Sequence, residues 1–384
     1  MLNIFLFLAI FFIITLAIGV LLERIRVPWL FAALLIGFIL AISNPFQNVT
    51  SQDSFNFLAT LGLYFLLFII GFELDFDKIR RSSKFIVKST FIIILFEALI
   101  GMLIVHHVFH VSWLISFIVA LSFATVGEAV LVPILQEFRM INSKLGQAVI
   151  GIGVLDDVFE VLTLFLVSFV AFKQIATANI IGFLALCLIF VFSFYLSTLK
   201  EKTKLLVYKG IGSIFLIVIF ILFLFIGIGI YANLEALSAL LAGIVVKNFL
   251  PRKRIKLIEE TIINICYGFF APIFFLSVGL ETKPDLIFAY PLLVLLVVTV
   301  SKASKIIASI VAGKKELGLK KSIVMGVALS VRFSTSIVII KLLFEKNLID
   351  SLLYSVLIAS TMAFKFIIPV LLAYLIKKWK VYRD

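Results

Sequence analysis

Charged residues are scarce in this chain of 384 residues, and their scarcity excludes a soluble globular domain. They make up 14% of the sequence, whereas apolar residues make up 63%; soluble domains contain about 25% charged and about 45–50% apolar residues. Apolar stretches of about 20 residues recur, and each can cross a bilayer core of roughly 30 Å as a helix. The short alternating segments of a membrane β-barrel are absent. The composition therefore predicts an all-α membrane protein.

Cysteine and histidine are also sparse, which leaves little material for metal or redox chemistry. The two cysteines, Cys187 and Cys266, fall in apolar stretches and provide neither a disulfide framework nor a set of metal ligands. The histidines, His106, His107 and His110, lie at one end of an apolar stretch without neighbouring acids or cysteines, and we interpret them as interfacial residues. Since no nucleophile–base pair is evident either, we expect a protein that is not an enzyme and has no cofactor.

The net charge of +13 would fit a nucleic-acid partner, but the positions of the cations favour another explanation. Lys and Arg lie in short loops between apolar stretches, and alternate loops receive nearly all of them. The opposite loops receive only Lys173, Lys283, Lys341 and Lys346. Cytoplasmic loops of membrane proteins are rich in Lys and Arg, so this distribution predicts a multi-pass protein of the inner (plasma) membrane. We expect the N-terminus outside and the C-terminus in the cytoplasm, and we expect no nucleic-acid partner.

Thirteen transmembrane helices account for this alternation of charge along the chain. Their connections are short, so we expect consecutive helices to be neighbours in the lipid bilayer. The helices are expected at residues 2–22, 28–42, 55–73, 85–108, 112–137, 143–171, 178–198, 207–230, 233–249, 257–280, 286–312, 318–343 and 350–376.

Two pairs of segments within the chain resemble each other at nearly the same spacing. One match aligns Gly71 with Gly279, and the other aligns Gly37 with Gly243. The repeat advances by seven helices, an odd number, so equivalent helices cross the membrane in opposite directions. The sequence thus predicts two inverted-topology six-helix repeats, helices 1–6 and 8–13, joined by helix 7. Such repeats are typical of secondary transporters, whose substrate sites lie near the midplane where the repeats meet.

Predicted helices 5 and 12 are equivalent in this repeat, and both contain polar stretches at mid-span. These stretches are residues 122–128, in which Thr125 is a candidate cation ligand, and residues 330–336. We predict that both helices are discontinuous there and cross, so that half-helix ends direct backbone dipoles at a binding site. The same spacing relates Glu97 to Lys305, which places helices 4 and 11 symmetrically beside the crossing.

Two adjacent carboxylates, Asp156 and Asp157, lie in the middle of a long apolar stretch and give the strongest functional signal. Ionisable groups at bilayer depth are costly, and they mark pathways for ions or protons. Adjacent residues on a helix point about 100° apart, so one carboxylate can face an ion path while the other meets a neighbouring helix. Carboxylate oxygens suit a monovalent cation such as Na⁺, and the pair is therefore the predicted metal site.

Lys305 is the predicted proton-coupling partner of these acids. A Lys–Asp pair that breaks when a cation arrives would make cation and proton compete directly, and the two groups would titrate together. Lys302, one helical turn earlier, is the second candidate for this role. We interpret two other buried charges, Glu97 and Lys365, as structural partners within the helix bundle.

Three further charged residues are candidates for accessory roles at the site. Glu128 and Arg332 lie at the two predicted helix breaks, where they form either a structural ion pair or part of the ion site. Glu160 lies one helical turn after Asp156 and is a candidate third acid.

Three segments resemble helices of the monovalent cation:proton antiporter-2 family. Residues 63–75 (Leu-Tyr-Phe-Leu-Leu-Phe-Ile-Ile-Gly-Phe-Glu-Leu-Asp) resemble its third helix, and residues 274–280 (Phe-Phe-Leu-Ser-Val-Gly-Leu) resemble its tenth. Residues 142–158, which end in Leu-Asp-Asp-Val, resemble the family's ion-binding helix and are the most specific match. Lys305 aligns with the family's buried lysine, and the resemblance covers nearly the whole chain.

The resemblance implies a homodimer in which a core domain slides past a scaffold domain like an elevator. The implied scaffold comprises residues 1–84 and 207–284, the implied core comprises residues 85–173 and 285–384, and residues 174–206 form the linker helix. Asp157 would be the main cation ligand and Asp156 the partner of Lys305. In this family a double aspartate accompanies electrogenic exchange of Na⁺ or Li⁺ for H⁺.

We therefore expect a secondary active antiporter that exchanges Na⁺ or Li⁺ for H⁺ by alternating access. Two alternatives stay open. One is K⁺/H⁺ exchange by the same machinery, and the other is a cation channel, which would need a continuous pore.

Overall fold

The computed structural model describes residues 3–25, 27–74, 82–124, 128–170, 177–198, 211–250, 252–330 and 334–381. In these ranges the backbone forms helices joined by turns and short connections, without a β-strand. In chain order the helices are α1 (Ile4–Arg24), α2 (Phe31–Ile42), α3 (Gln47–Thr50), α4 (Asp53–Glu73), α5 (Lys84–Phe109), α6 (Trp113–Ala124), α7 (Glu128–Glu137), α8 (Lys144–Val170), α9 (Thr177–Thr198), α10 (Ile211–Ala232), α11 (Glu235–Phe249), α12 (Arg252–Ile265), α13 (Ala271–Leu280), α14 (Pro284–Ala289), α15 (Pro291–Leu317), α16 (Leu319–Ala328), α17 (Ser334–Glu345) and α18 (Ser351–Trp379). A π-helical turn, Cys266–Phe270, joins α12 to α13.

The described residues belong to two compact units. The first contains the described residues of Met1–Gln47, Asp75–Thr163 and Phe275–Asp384. The second contains those of Asn48–Leu74 and Leu164–Phe274. The scaffold and core domains implied by the resemblance stay a prediction.

Polar N-cap residues begin several of the long apolar helices. The side chain of Asn3 accepts a hydrogen bond from the Leu6 N–H at the start of α1 (2.9 Å), and the side chain of Asp350 accepts one from the Leu353 N–H at the start of α18 (2.8 Å). Such caps satisfy backbone donors that a helix leaves unpaired at its first turn. Glycine ends another long helix: α15 stops before Gly318, whose positive φ of +78° is a backbone conformation that favours glycine.

Seven helical segments in the described part of the chain are long and apolar enough to cross a membrane, judged by length and composition. α8 is long enough, at 27 residues, but it is not one of these segments because it contains three acids. α2 and α6 have 12 residues each, fewer than the about 20 that a complete crossing needs. The chain is an all-α membrane protein, and the number of thirteen spans stays a prediction. The seven segments are Ile4–Arg24, Asp53–Glu73, Lys84–Phe109, Gly212–Ala232, Ile258–Leu280, Pro291–Leu317 and Ser351–Trp379.

The two predicted discontinuous helices fall on α6 and α7 and on α16 and α17. α16 ends at Ala328, and Leu329 and Ser330 form a turn where the second polar stretch begins. Residues 331–333, and residues 125–127 between α6 and α7, lie outside the described residues. Crossing of the two helix pairs therefore stays a prediction.

Close helix contacts in each unit occur at glycines that the repeat relates. In the second unit α4 packs on α11, and a Cβ at Gly71 or Gly243 would overlap the backbone of the other helix. In the first unit α2 approaches α13, where a Cβ at Gly37 would lie 2.9 Å from the Cα of Gly279. Small residues at such contacts let membrane helices approach until their backbones touch.

A polar cluster in the first unit joins the end of α13 to α17 and α18. Lys341 forms ion pairs with Glu281 and Glu345, and the Tyr354 hydroxyl donates a hydrogen bond of 3.0 Å to the Val278 carbonyl. Burial raises the pKa of the Glu281 carboxyl, and the adjacent Lys341 ammonium opposes that rise. Lys341 is one of the few cations on the predicted outer side, and the cluster accounts for its position.

Candidate functional site

The acids of the predicted site share one helix of the first unit but differ in exposure. Asp156 is 0% exposed and Glu160 is 4% exposed, and both lie on a buried stripe of α8 with Ile152 and Thr163. Asp157 is half-buried. Because adjacent helical residues diverge by about 100°, α8 turns one carboxylate into the protein and leaves its neighbour more accessible.

A cavity of about 310 Å³ lies between the beginnings of α5 and α8. Its lining includes Ile150, Gly151 and Val154 of α8, which recur at helical spacing. These residues define the face of α8 that lines the cavity. Asp157, two turns beyond Ile150, lies at the edge of the same face, whereas Asp156 lies on the opposite side of the helix. The remaining lining residues are Ser82, Ile86, Ile141, Asn142 and Gln147.

Lys305 of α15 is fully buried, and its ammonium makes one ion pair and two hydrogen bonds. Its Nζ lies 3.1 Å from Oε2 of Glu97, which is 2% exposed. The same Nζ donates hydrogen bonds to the carbonyl of Ala124, the last described residue of α6 (2.7 Å), and to that of Leu329, just after α16 (3.0 Å). The Ser301 hydroxyl donates to Oε1 of Glu97 at 2.5 Å.

Helix packing brings these groups together. Ser301 and Lys305 are one turn apart on α15, so both reach Glu97 on α5. α16 lies close against α15, because a Cβ at Gly326 would lie 2.7 Å from the Cα of Ile306. This close approach places the carbonyl that follows α16 within reach of the Lys305 ammonium.

Lys302 binds the next carbonyl. Its Nζ donates a hydrogen bond of 2.8 Å to Ser330 O and lies 3.6 Å from the ring centroid of Phe364. Two lysines of α15 therefore bind successive carbonyls, those of Leu329 and Ser330, at the end of α16. Positive charge at a helix C-terminus is favourable because the helix dipole is negative there, and an aromatic face adds a cation–π contact.

Some predicted site residues cannot be placed. Thr125 and Arg332 lie outside the described residues. Glu128 is the first described residue of α7, and its side chain lies outside them as well, so the predicted Glu128–Arg332 pair stays a prediction. The pairing of Lys305 with Asp156 also stays a prediction.

From the sequence, we predict only a structural role for Glu97. The signal that could have identified its partner was the repeat spacing, which relates Glu97 to Lys305. Ser301 was missed, although it lies one turn before Lys305. Lys365, the other buried cation predicted to be structural, is 4% exposed, and its Nζ lies 5.5 Å from the ring centroid of Phe31.

Comparison with known proteins identifies relatives along almost the entire chain. A sequence profile of the family described as sodium/hydrogen exchanger, transmembrane, matches residues 8–378. The Na⁺/H⁺ antiporter of Enterococcus hirae is 25% identical over 365 residues, 93% of this chain and 94% of that protein. The K⁺/H⁺ antiporter subunit KhtU of Bacillus subtilis is 27% identical over 304 residues, 77% of this chain and 73% of that protein.

A solved structure shares the fold. The structure of the sodium proton antiporter MjNhaP1 from Methanocaldococcus jannaschii at pH 8 matches with a TM-score of 0.63 at 16% identity, over 98% of each chain. The sequence resemblance to Na⁺/H⁺ antiporters is thus confirmed. The assignment to the antiporter-2 family in particular is imprecise, because the matching profile describes sodium/hydrogen exchangers in general. The chain belongs to the sodium/hydrogen exchanger family of transmembrane proteins.

Proposed function

We propose that this protein is a secondary active antiporter that exchanges Na⁺ or Li⁺ for H⁺ across the plasma membrane. The observation that carries the proposal is the pair Asp156 and Asp157 at the middle of α8, one fully buried and the other half-buried, in a member of an exchanger family. A cation and protons then compete for the same carboxylates. Asp157 is the main cation ligand.

The cavity along α8 supports an access path to Asp157. It begins near Asn142 and follows the face whose edge Asp157 continues. The Lys and Arg distribution assigns the Asn142 end of α8 to the cytoplasm, which makes this the cytoplasmic route. The same rule assigns the N-terminus to the outside and the C-terminus to the cytoplasm.

Contacts between glycines support an inverted repeat and hence alternating access. Gly37 contacts Gly279, and Gly71 contacts Gly243. The repeat relates Gly37 to Gly243 and Gly279 to Gly71. The contact between Gly37 and Gly279 is therefore equivalent to the contact between Gly243 and Gly71. In the proposed mechanism the core, residues 85–173 and 285–384, moves past a dimeric scaffold and exposes the aspartates to each side in turn.

Coupling arises because the ammonium of Lys305 and the cation cannot both occupy Asp156. When the cation binds, Lys305 leaves Asp156, and protons leave the site on the same side. When the cation departs, protons and Lys305 return. Because the family resemblance links a double aspartate to electrogenic exchange, we propose that more than one proton is exchanged for each cation, so that each cycle moves net charge.

Purified protein in liposomes with a pH-sensitive dye inside tests the proposal. At several pH values, addition of Na⁺ or Li⁺ should dissipate an imposed proton gradient, with half-maximal effect in about the millimolar range, within the span usual for substrates. K⁺ should have no effect. A response to K⁺ alone would instead indicate K⁺/H⁺ exchange, the activity named for KhtU. Cation flux without proton movement, at rates far above transporter turnover, would indicate a channel.

A further inference from the structure

Glu97 is a buried acid that the proposed exchange mechanism does not use. Its carboxylate is 2% exposed, lies 3.1 Å from the Lys305 ammonium and receives a hydrogen bond from Ser301. Burying an ion pair costs desolvation energy that well-packed apolar side chains of similar volume avoid, so such a pair is weak evidence for a purely stabilising role. A specific task for this carboxylate is the stronger explanation.

The position of the pair within the repeat supports such a task. Glu97 and Lys305 are equivalent positions of the proposed inverted repeat, and equivalent positions can touch only beside the axis that relates the repeats. The pair therefore lies where the two repeats meet, which is where transporters of this kind place their sites. There the repeats differ in charge: one contributes an acid and the other a base.

We propose that Glu97 is a positioning residue for Lys305, and this inference rests on the proposed exchange function. Glu97 holds the ammonium beside the carbonyls of Ala124 and Leu329, and it competes with Asp156 for the same ammonium. A Lys305 that is shared between two carboxylates leaves Asp156 more readily when a cation arrives. Glu97 thereby raises the apparent affinity for the cation without contacting it.

Glu97→Gln tests this idea because it removes the charge but keeps the size of the side chain. With one carboxylate gone, Lys305 binds Asp156 more tightly, and Na⁺ competes less well. The apparent KM for Na⁺ should rise about tenfold, within the range of typical couplings between sites, while kcat stays within about twofold of wild type. Glu97→Asp keeps the charge and should restore most of the affinity.

Three further variants make the test specific. Glu137→Gln removes an exposed acid at the end of α7 and should leave KM unchanged. Ser301→Ala loosens the Glu97 carboxylate and should raise KM about threefold, roughly the effect of one hydrogen bond. In a Lys305→Gln background Glu97→Gln should add nothing, as measured by the Na⁺ concentration that gives half-maximal thermal stabilisation.

The outcomes separate this inference from the function on which it rests. Wild-type protein that shows no cation-driven proton movement would refute both. Normal wild-type exchange with an unchanged KM in Glu97→Gln, or merely less folded protein and a lower kcat, would overturn the inference alone. If Glu97→Gln does not fold, an unchanged KM in Ser301→Ala would also overturn it.

Discussion

Asp157→Asn should abolish cation-coupled proton exchange and leave a folded protein. Asn keeps the shape of Asp but supplies one neutral carbonyl oxygen in place of a charged carboxylate. In the proposed mechanism Na⁺ then loses its main anionic ligand, and exchange should fall by at least about 100-fold, which corresponds to about 2.7 kcal/mol. Asp157 is only half-buried, so its neutralisation should change the melting temperature little. Proton-gradient dissipation in proteoliposomes measures the activity, and Na⁺-induced thermal stabilisation measures binding.

Neighbouring acids on α8 provide two comparison variants. Asp156→Asn should also abolish exchange, because in the proposed mechanism it removes the carboxylate that alternates between Lys305 and the cation. Glu160→Gln should lose less than about tenfold, since Glu160 would only flank the site. Full activity in Asp157→Asn, with Na⁺ still stabilising the protein, would refute the assignment of the cation ligand.

The position of the two aspartates at the middle of α8 and the difference in their burial could be predicted from the sequence, because both are local helical properties. Asp156 lies near the middle of α8, and a helix fixes the angle between adjacent side chains. Burial then differs between them in the structure, with Asp156 fully enclosed. The all-α fold class followed in the same way, from composition and from the length of apolar stretches.

The ion pair between Lys305 and Glu97 could not be predicted by the same means, because it depends on how helices pack. The structure places Glu97 of α5 3.1 Å from Lys305, and the pairing of Lys305 with Asp156 that the resemblance implies stays a prediction. That distance follows from the approach of α5 to α15, which no local pattern encodes. The repeat spacing did contain the relation between positions 97 and 305, but equivalence by itself does not imply contact.

The early end of α16 agrees with the polar stretch at residues 330–336, where the sequence predicts a break. Hydropathy alone would predict one continuous helix, but α16 ends after 10 residues at Ala328. The Leu329 and Ser330 carbonyls beyond this end bind Lys305 and Lys302. Two buried or partly buried lysines on another helix thus stabilise an early helix end, and such compensation appears only in the tertiary structure.

Gly243→Val should prevent the protein from folding. A Cβ at this position would overlap the Phe68 carbonyl oxygen and the backbone of Gly71, so the first atom of any side chain separates α11 from α4. Backbone atoms cannot move aside as the end of a flexible side chain can, and overpacking typically costs 1–3 kcal/mol or more. Because the overlap here is with backbone atoms on the facing helix, the cost should exceed this typical range and approach the total stability of a protein, which is about 5–15 kcal/mol. We therefore expect little monodisperse protein on size-exclusion chromatography.

Gly227→Ala is the matched control, since a Cβ there would meet nothing within 4 Å. It should leave the elution profile unchanged and the melting temperature equal or slightly higher, because Ala favours a helix more than Gly does. Gly37→Val in the first unit should fail in the same way as Gly243→Val, because the proposed repeat makes the two positions equivalent. Normal elution and melting of Gly243→Val would mean that α4 and α11 do not touch at their backbones. A defect in Gly243→Val without one in Gly37→Val would argue against the equivalence, since symmetric contacts should tolerate an added side chain equally poorly.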